Sequence, residues 1–111
     1  MGSQVTTSGK ADMQKVLVVD NHPLMLKFMS SLLEKHGYEV LTTSDGISAI
    51  EVMQSEAIDI FFVDLVMPNI SGEKLCRIIR SLPGYQDAFL IVMSAIAGEE
   101  KLQIEDCQAD M

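Results

Sequence analysis

Lys15-Val16-Leu17-Val18-Val19-Asp20-Asn21-His22-Pro23 decides how the rest of the chain reads. Four apolar residues in succession, three of them valine, leave the strand no polar face, which suits a parallel strand covered on both sides. The run stops at a carboxylate and an amide, and Pro23 then opens a helical pattern, a position where its missing N–H costs nothing.

Outward from there the same grammar repeats. Leu24, Met25, Phe28, Met29, Leu32 and Leu33 form one helical stripe ended by Gly37, and a second strand is expected over Tyr38 to Thr43. Helices follow from about Gly46 to Gln54, through Ile47, Ile50 and Met53, and from about Gly72 to Ser81, through Leu75, Ile78 and Ile79. The near-continuous apolar runs Ile58 to Val63 and Phe89 to Met93 supply two more strands, and Pro83-Gly84 breaks the chain before the last of them. A final helix is expected at about Gly98 to Asp106, in a stretch with five acids and one lysine between Glu99 and Asp110. Strands alternating with helices at this spacing predict an α/β, doubly wound parallel sheet.

Composition excludes several classes of function. The 111 residues are 48% hydrophobic and 22% charged, which fits one compact domain. Eight basic against sixteen acidic residues give a net charge of −8, so direct nucleic-acid binding is not expected. Ala88 to Ala97, the longest apolar stretch, is interrupted by Ser94 and is too short for a membrane-spanning helix of about 20 residues. Cys76 and Cys107 lie far apart behind no export signal, so reduced thiols and a cytoplasmic location are expected. Residues 1–14, with Thr6-Thr7-Ser8-Gly9, read as a flexible leader and residues 15–111 as the folded domain.

In such a sheet, chemistry belongs outside the carboxyl ends of the strands, at the point where strand order reverses. There the sequence places Asp20 and Asn21 after the first strand, Asp64 after the third, and Ser94 after the fourth. Carboxylates crowded over an apolar sheet call for a hard divalent cation, magnesium by default, and the same crowding makes one of them a plausible nucleophile toward phosphorus. Ser94 could then hydrogen-bond a phosphoryl oxygen.

These pieces resemble a known family. Val16-Leu17-Val18-Val19-Asp20, Val63-Asp64-Leu65-Val66-Met67-Pro68-Asn69-Ile70-Ser71-Gly72 and Ile91-Val92-Met93-Ser94-Ala95 resemble the receiver domains of two-component response regulators, over Lys15 to Met111. The resemblance implies a flavodoxin-like sheet of order 2-1-3-4(-5). It implies Asp64 as the phosphoacceptor and Ser94 as the hydroxyl that follows phosphorylation. Mg2+, or Mn2+, would be held by Asp20, Asn21, Asp64 and the Val66 carbonyl. A histidine kinase or histidine phosphotransfer protein would be the donor, and the module would signal rather than act as an enzyme.

The chain departs from the family in two places. Asn21 stands where the family usually has a second metal-touching Asp, which weakens cation binding without abolishing it. Gln108-Ala109-Asp110-Met111 ends the chain where the family continues into a fifth strand with a lysine and a last helix, so these are expected to be absent, with a swapped homodimer left open.

Plainer readings stand beside these. Asp64 in isolation would be a turn former, Asp20 or Asn21 a cap for the helix at Pro23, and Ser94 a local backbone partner. His22 reads as a residue at the rim of the site with no chemical role, His36 as a partner for a helix end, and Cys76 as core packing. A pseudo-receiver, the same fold binding a partner without phosphorylation, is the alternative that Asn21 favours. An aspartyl phosphatase would want an Asp where Val66 stands, and a flavin carrier would want hydroxyl-rich turns in place of Asp20-Asn21. If Asp64 is phosphorylated, self-hydrolysis should be slow, because Val66 and Ile96 offer no polar group to orient water.

Overall fold

The computed structural model describes residues 13–93. They run as β1 (Lys15–Val19), α1 (Pro23–Lys35), β2 (Glu39–Thr43), α2 (Gly46–Ser55), β3 (Ile60–Asp64), α3 (Gly72–Ser81) and β4 (Phe89–Met93). The four strands are parallel in the order β2-β1-β3-β4, with Val16 opposite both Val40 and Ile60, and Asp64 opposite Met93. This is the expected 2-1-3-4 sheet. The expected fifth strand and the helix near Gly98 lie outside the described residues.

Alternation along the strands divides the interior into two layers. Leu17, Val19, Phe61, Val63 and Leu90 pack against Ala49 and Met53 of α2 and Leu75, Cys76 and Ile79 of α3. The other strand face meets α1, where Val16, Ile60, Phe62 and Ile91 share a shallow apolar groove with Leu33. Because β1 is buried on both faces, an unbroken apolar run was the right sequence for it.

Each helix end has a local cause. Gly37, at φ 94, lets Tyr38 N–H reach Leu33 O and Gly37 N–H reach Glu34 O, closing α1 with the paired bonds that a left-handed residue permits. Asp45 caps α2 by accepting from Ser48 N–H, and Ser71 caps α3 by accepting from Lys74 N–H. After α3, Tyr85 sets its ring edge-on to Phe61, and its hydroxyl donates to Glu56 O at 2.8 Å. This pins the end of α2 to the turn before β4.

The helical stripe on α1 is less buried than its periodicity suggests. Leu24 is 82% and Phe28 60% exposed, and no residue of α1 is fully buried. Among the described residues no helix is long and apolar enough to cross a membrane.

Candidate functional site

Asp20 follows β1 directly, and its backbone N–H donates to Thr43 O, so the strand end is held from the β2 side. Asp64 is the last residue of the neighbouring β3. Adjacent parallel strands therefore carry two carboxylates to the same edge of the sheet, where Asp20 is 4% and Asp64 7% exposed. Among the described residues neither carboxylate pairs with a lysine or arginine; their one ionisable basic neighbour is His22.

The loop after β3 is fixed by a single close approach. Gly72 N–H donates to Leu65 O, and a Cβ on Gly72 would lie 2.1 Å from Asp64 O and 2.5 Å from Leu65 Cα. The first turn of α3 thus rests on the peptide of Asp64 itself, a fit only glycine allows. Asn69, at φ 68, turns the chain through the left-handed region that asparagine tolerates better than most residues. Inside this loop Val66 N–H donates to Asp64 Oδ1 at 3.1 Å, which orients the carboxylate.

Burial pushes the Asp64 carboxyl above its ordinary value. The Val66 N–H opposes that shift, the negative charge of Asp20 adds to it, and His22 opposes it. The carboxylates are thus short of positive charge.

Asp20 does not cap α1. Its Oδ1 accepts from His22 N–H at 2.8 Å and lies 2.8 Å from His22 Nδ1, while the N-terminus of α1 has no side-chain cap at all. The same Nδ1 is 3.8 Å from Asp64 Oδ2, and one donor atom from each of Asp20, His22 and Asp64 lies within 4.8 Å of the other two. His22 is exposed at the rim, as expected, yet its ring nitrogen belongs to the cluster. Its place between Asp20 and Pro23 puts it beside the first carboxylate, but only the fold brings Asp64 to it.

Two nearly buried carboxylates that converge, with no lysine or arginine paired to them among the described residues, suit a divalent cation. Asn21 follows Asp20 on the exposed side of the same strand end, and Val66 sits in the loop that holds Asp64. Ser94 and Ile96 lie outside the described residues; the preceding Met93 accepts at its carbonyl from Leu65 N–H, beside Asp64.

The sequence model of the family described as "Response regulator receiver domain" matches residues 16–111. The sensor histidine kinase RcsC of Salmonella typhimurium is 33% identical over 99 residues, 89% of this chain and 10% of that protein. PilG of Pseudomonas aeruginosa is 29% identical over 89 residues, 80% of this chain and 66% of that protein. The chain thus spans about a tenth of the length of the kinases it matches. Among solved structures, chemotaxis protein CheY4 of Vibrio cholerae superposes with a TM-score of 0.82 at 28% identity, covering 87% of this chain and 82% of that one. The response regulator TrrA of Thermotoga maritima, in complex with Mg(2+)-BeF, does so with a TM-score of 0.77 at 30% identity, covering 88% and 83%. The family match begins at the strand that delivers Asp20 and takes in the strand that delivers Asp64, and by sequence and by fold the chain belongs to the response-regulator receiver domains.

Proposed function

We propose that Asp64 is a phosphoacceptor in two-component signalling, with a histidine kinase or histidine phosphotransfer protein as donor. The observation that carries this reading is the Asp20 and Asp64 pair: both nearly buried, at one strand edge, and facing no lysine or arginine among the described residues. One Asp64 oxygen forms a bond to phosphorus as the bond from phosphorus to the donor's imidazole nitrogen breaks. The donor keeps that electron pair, and the product is an aspartyl phosphate.

The residues that would hold Mg2+ or Mn2+ are Asp20, Asn21, Asp64 and the Val66 carbonyl. When bound, the cation neutralises phosphoryl oxygens as charge gathers on them. The Val66 N–H keeps the Asp64 carboxylate oriented, and the α3 N-terminus holds its peptide still. Ser94, next in the chain to the strand that pairs with β3, is the hydroxyl proposed to meet the phosphoryl group and to pass the change to a partner-binding surface. We place the domain in the cytoplasm, where such donors present their phosphohistidine, and expect the aspartyl phosphate to hydrolyse slowly.

Intact mass after incubation with a small phosphodonor and Mg2+ tests this. The expected result is one phosphoryl adduct on the wild type and none on Asp64→Asn. Asn21 favours a second reading, a pseudo-receiver that works as a phosphorylation-independent interaction or dimerisation module. Asn21→Asp restores a formal charge at the cation and should raise Mg2+ affinity on the order of tenfold. An adduct on neither the wild type nor Asn21→Asp, in a chain that carries the fifth strand and its lysine, would favour the pseudo-receiver over the phosphoacceptor.

A further inference from the structure

Helix α1 is apolar on two sides, and the described fold uses one of them. Leu33 faces Val16, Ile60 and Phe62 across the groove, and Leu26 and Met29, on the same side of the helix, are half-buried with it. Leu24, Phe28 and Leu32, spaced by four, form a separate ridge along the outer side. They are 82%, 60% and 40% exposed, and Met25 beside them is 41% exposed. Single exposed apolar side chains, such as Ile47 on α2, need no explanation, but four on adjoining turns of one helix mark a surface that something covers.

We propose that this ridge is a two-fold interface with a second copy of this chain, α1 crossing α1. The proposal stands whether or not Asp64 takes a phosphoryl group. Rows of residues spaced by four interlock when two helices cross at about 50°. A two-fold axis at Phe28 sets Leu24 of each copy against Leu32 of the other, so the ridge is complementary to itself. Its size also fits. At roughly 200 Å2 for a fully exposed side chain of this bulk, Leu24, Met25, Phe28 and Leu32 present about 450 Å2 of apolar surface. Homodimer interfaces are about 65% apolar, so the ridge would be the centre of a face of about 700 Å2, near the roughly 800 Å2 per partner of a stable association. Charge permits the approach, for α1 carries Lys27 and Lys35 against Glu34 in a chain whose net charge is −8. Two copies that repel overall thus meet here without a surplus of acids.

Sedimentation of the full chain across concentration tests this. At about 100 μM the wild type should be a dimer, since interfaces of this size bind in the micromolar range or tighter. Phe28→Asp should weaken the dimer about a hundredfold or more, because the substitution enters a two-fold interface twice. Ile47→Asp, at a comparably exposed site on the helix that packs on the other face of the sheet, should change it less than about twofold. In a Cys107→Ser background, Phe28→Cys should form an intermolecular disulfide under mild oxidation and Ile47→Cys should not. Helix axes about 8–10 Å apart bring the Cα atoms at the two-fold axis within bridging reach. A dimer that survives Phe28→Asp, or that does not cross-link through residue 28, would overturn the proposal. A wild-type monomer would overturn it too, and Phe28→Asp would then identify what covers the ridge. Lower thermal stability would mean a segment of the same chain. Slower uptake from a histidine phosphotransfer protein, with uptake from a small phosphodonor unchanged, would mean the donor.

Discussion

Gly72→Ala should damage both the stability of the domain and its site, because the two depend on the same contact. The added methyl would stand 2.1 Å from Asp64 O, 2.5 Å from Leu65 Cα and 2.7 Å from Asp64 C, all backbone atoms that cannot rotate aside. Overpacking of a well-filled site costs about 1–3 kcal/mol, and the rigidity of these neighbours puts the cost near the upper end. Alanine returns something under about 1 kcal/mol through its better helix propensity and the smaller entropy it loses on folding. The net loss is about 2 kcal/mol, or roughly 10 °C of melting temperature for a domain of this size. The α3 N-terminus must retreat from the Asp64 peptide, so phosphoryl uptake should fall steeply; a displacement of about 1 Å can cost about a hundredfold in rate. Thermal unfolding by circular dichroism and adduct formation by intact mass read the two effects. Gly46→Ala is the companion, since the three atoms nearest its added methyl all belong to the side chain of Ile70, from 3.0 Å, which can give way. It should cost less than about 1 kcal/mol. Wild-type stability and wild-type adduct yield in Gly72→Ala would refute the account of this glycine.

Two further outcomes follow from the geometry. In cation-free protein, Asp64→Asn should be more stable than wild type at neutral pH, and the advantage should disappear as pH falls below the ordinary carboxyl value of 3.8. The folded state raises this carboxyl, so wild type loses stability as pH rises through the interval above that value, a loss an amide cannot suffer; urea unfolding of both proteins across pH checks it, and a pH-independent difference would count against it. Tyr85→Phe removes a hydroxyl that donates to Glu56 O and accepts from Ile58 N–H, at the end of the sheet opposite the carboxylates, while keeping the ring against Phe61. It should cost about 1–2 kcal/mol in urea unfolding and leave adduct formation unchanged; a stability loss below about 0.3 kcal/mol would show the hydroxyl to be idle.

The framework was legible because its signals are local. Val16 to Val19 announces a doubly covered strand, Gly37 a left-handed stop, and Pro83-Gly84 a break, and each observed boundary falls within about two residues of its expected place. Asp20 and Asp64 could be named because each ends an apolar run. What the sequence could not show depends on atoms brought together from a distance. The need for glycine at 72 comes from the Asp64 carbonyl beneath it, and nothing in Ser71-Gly72-Glu73 records that contact. The entry of His22 into the cluster depends on where β3 places Asp64. The stripe on α1 marks a helix but not its depth, for periodicity gives the direction of an apolar face and not what covers it.

The pairing of β1 with β3 has a thermodynamic side. Asp20 and Asp64 are neighbours only while Val16 to Val19 lie in register beside Ile60 to Val63, with α1, β2 and α2 looped out between them. In the unfolded chain they are two unrelated carboxylates with no shared affinity for anything. A cation that needs both can bind only the folded chain, so its concentration becomes a variable of the folding equilibrium. At a hundredfold excess over its dissociation constant it would add about 2.7 kcal/mol to stability. The melting curve of this domain would then be a binding isotherm read along the temperature axis.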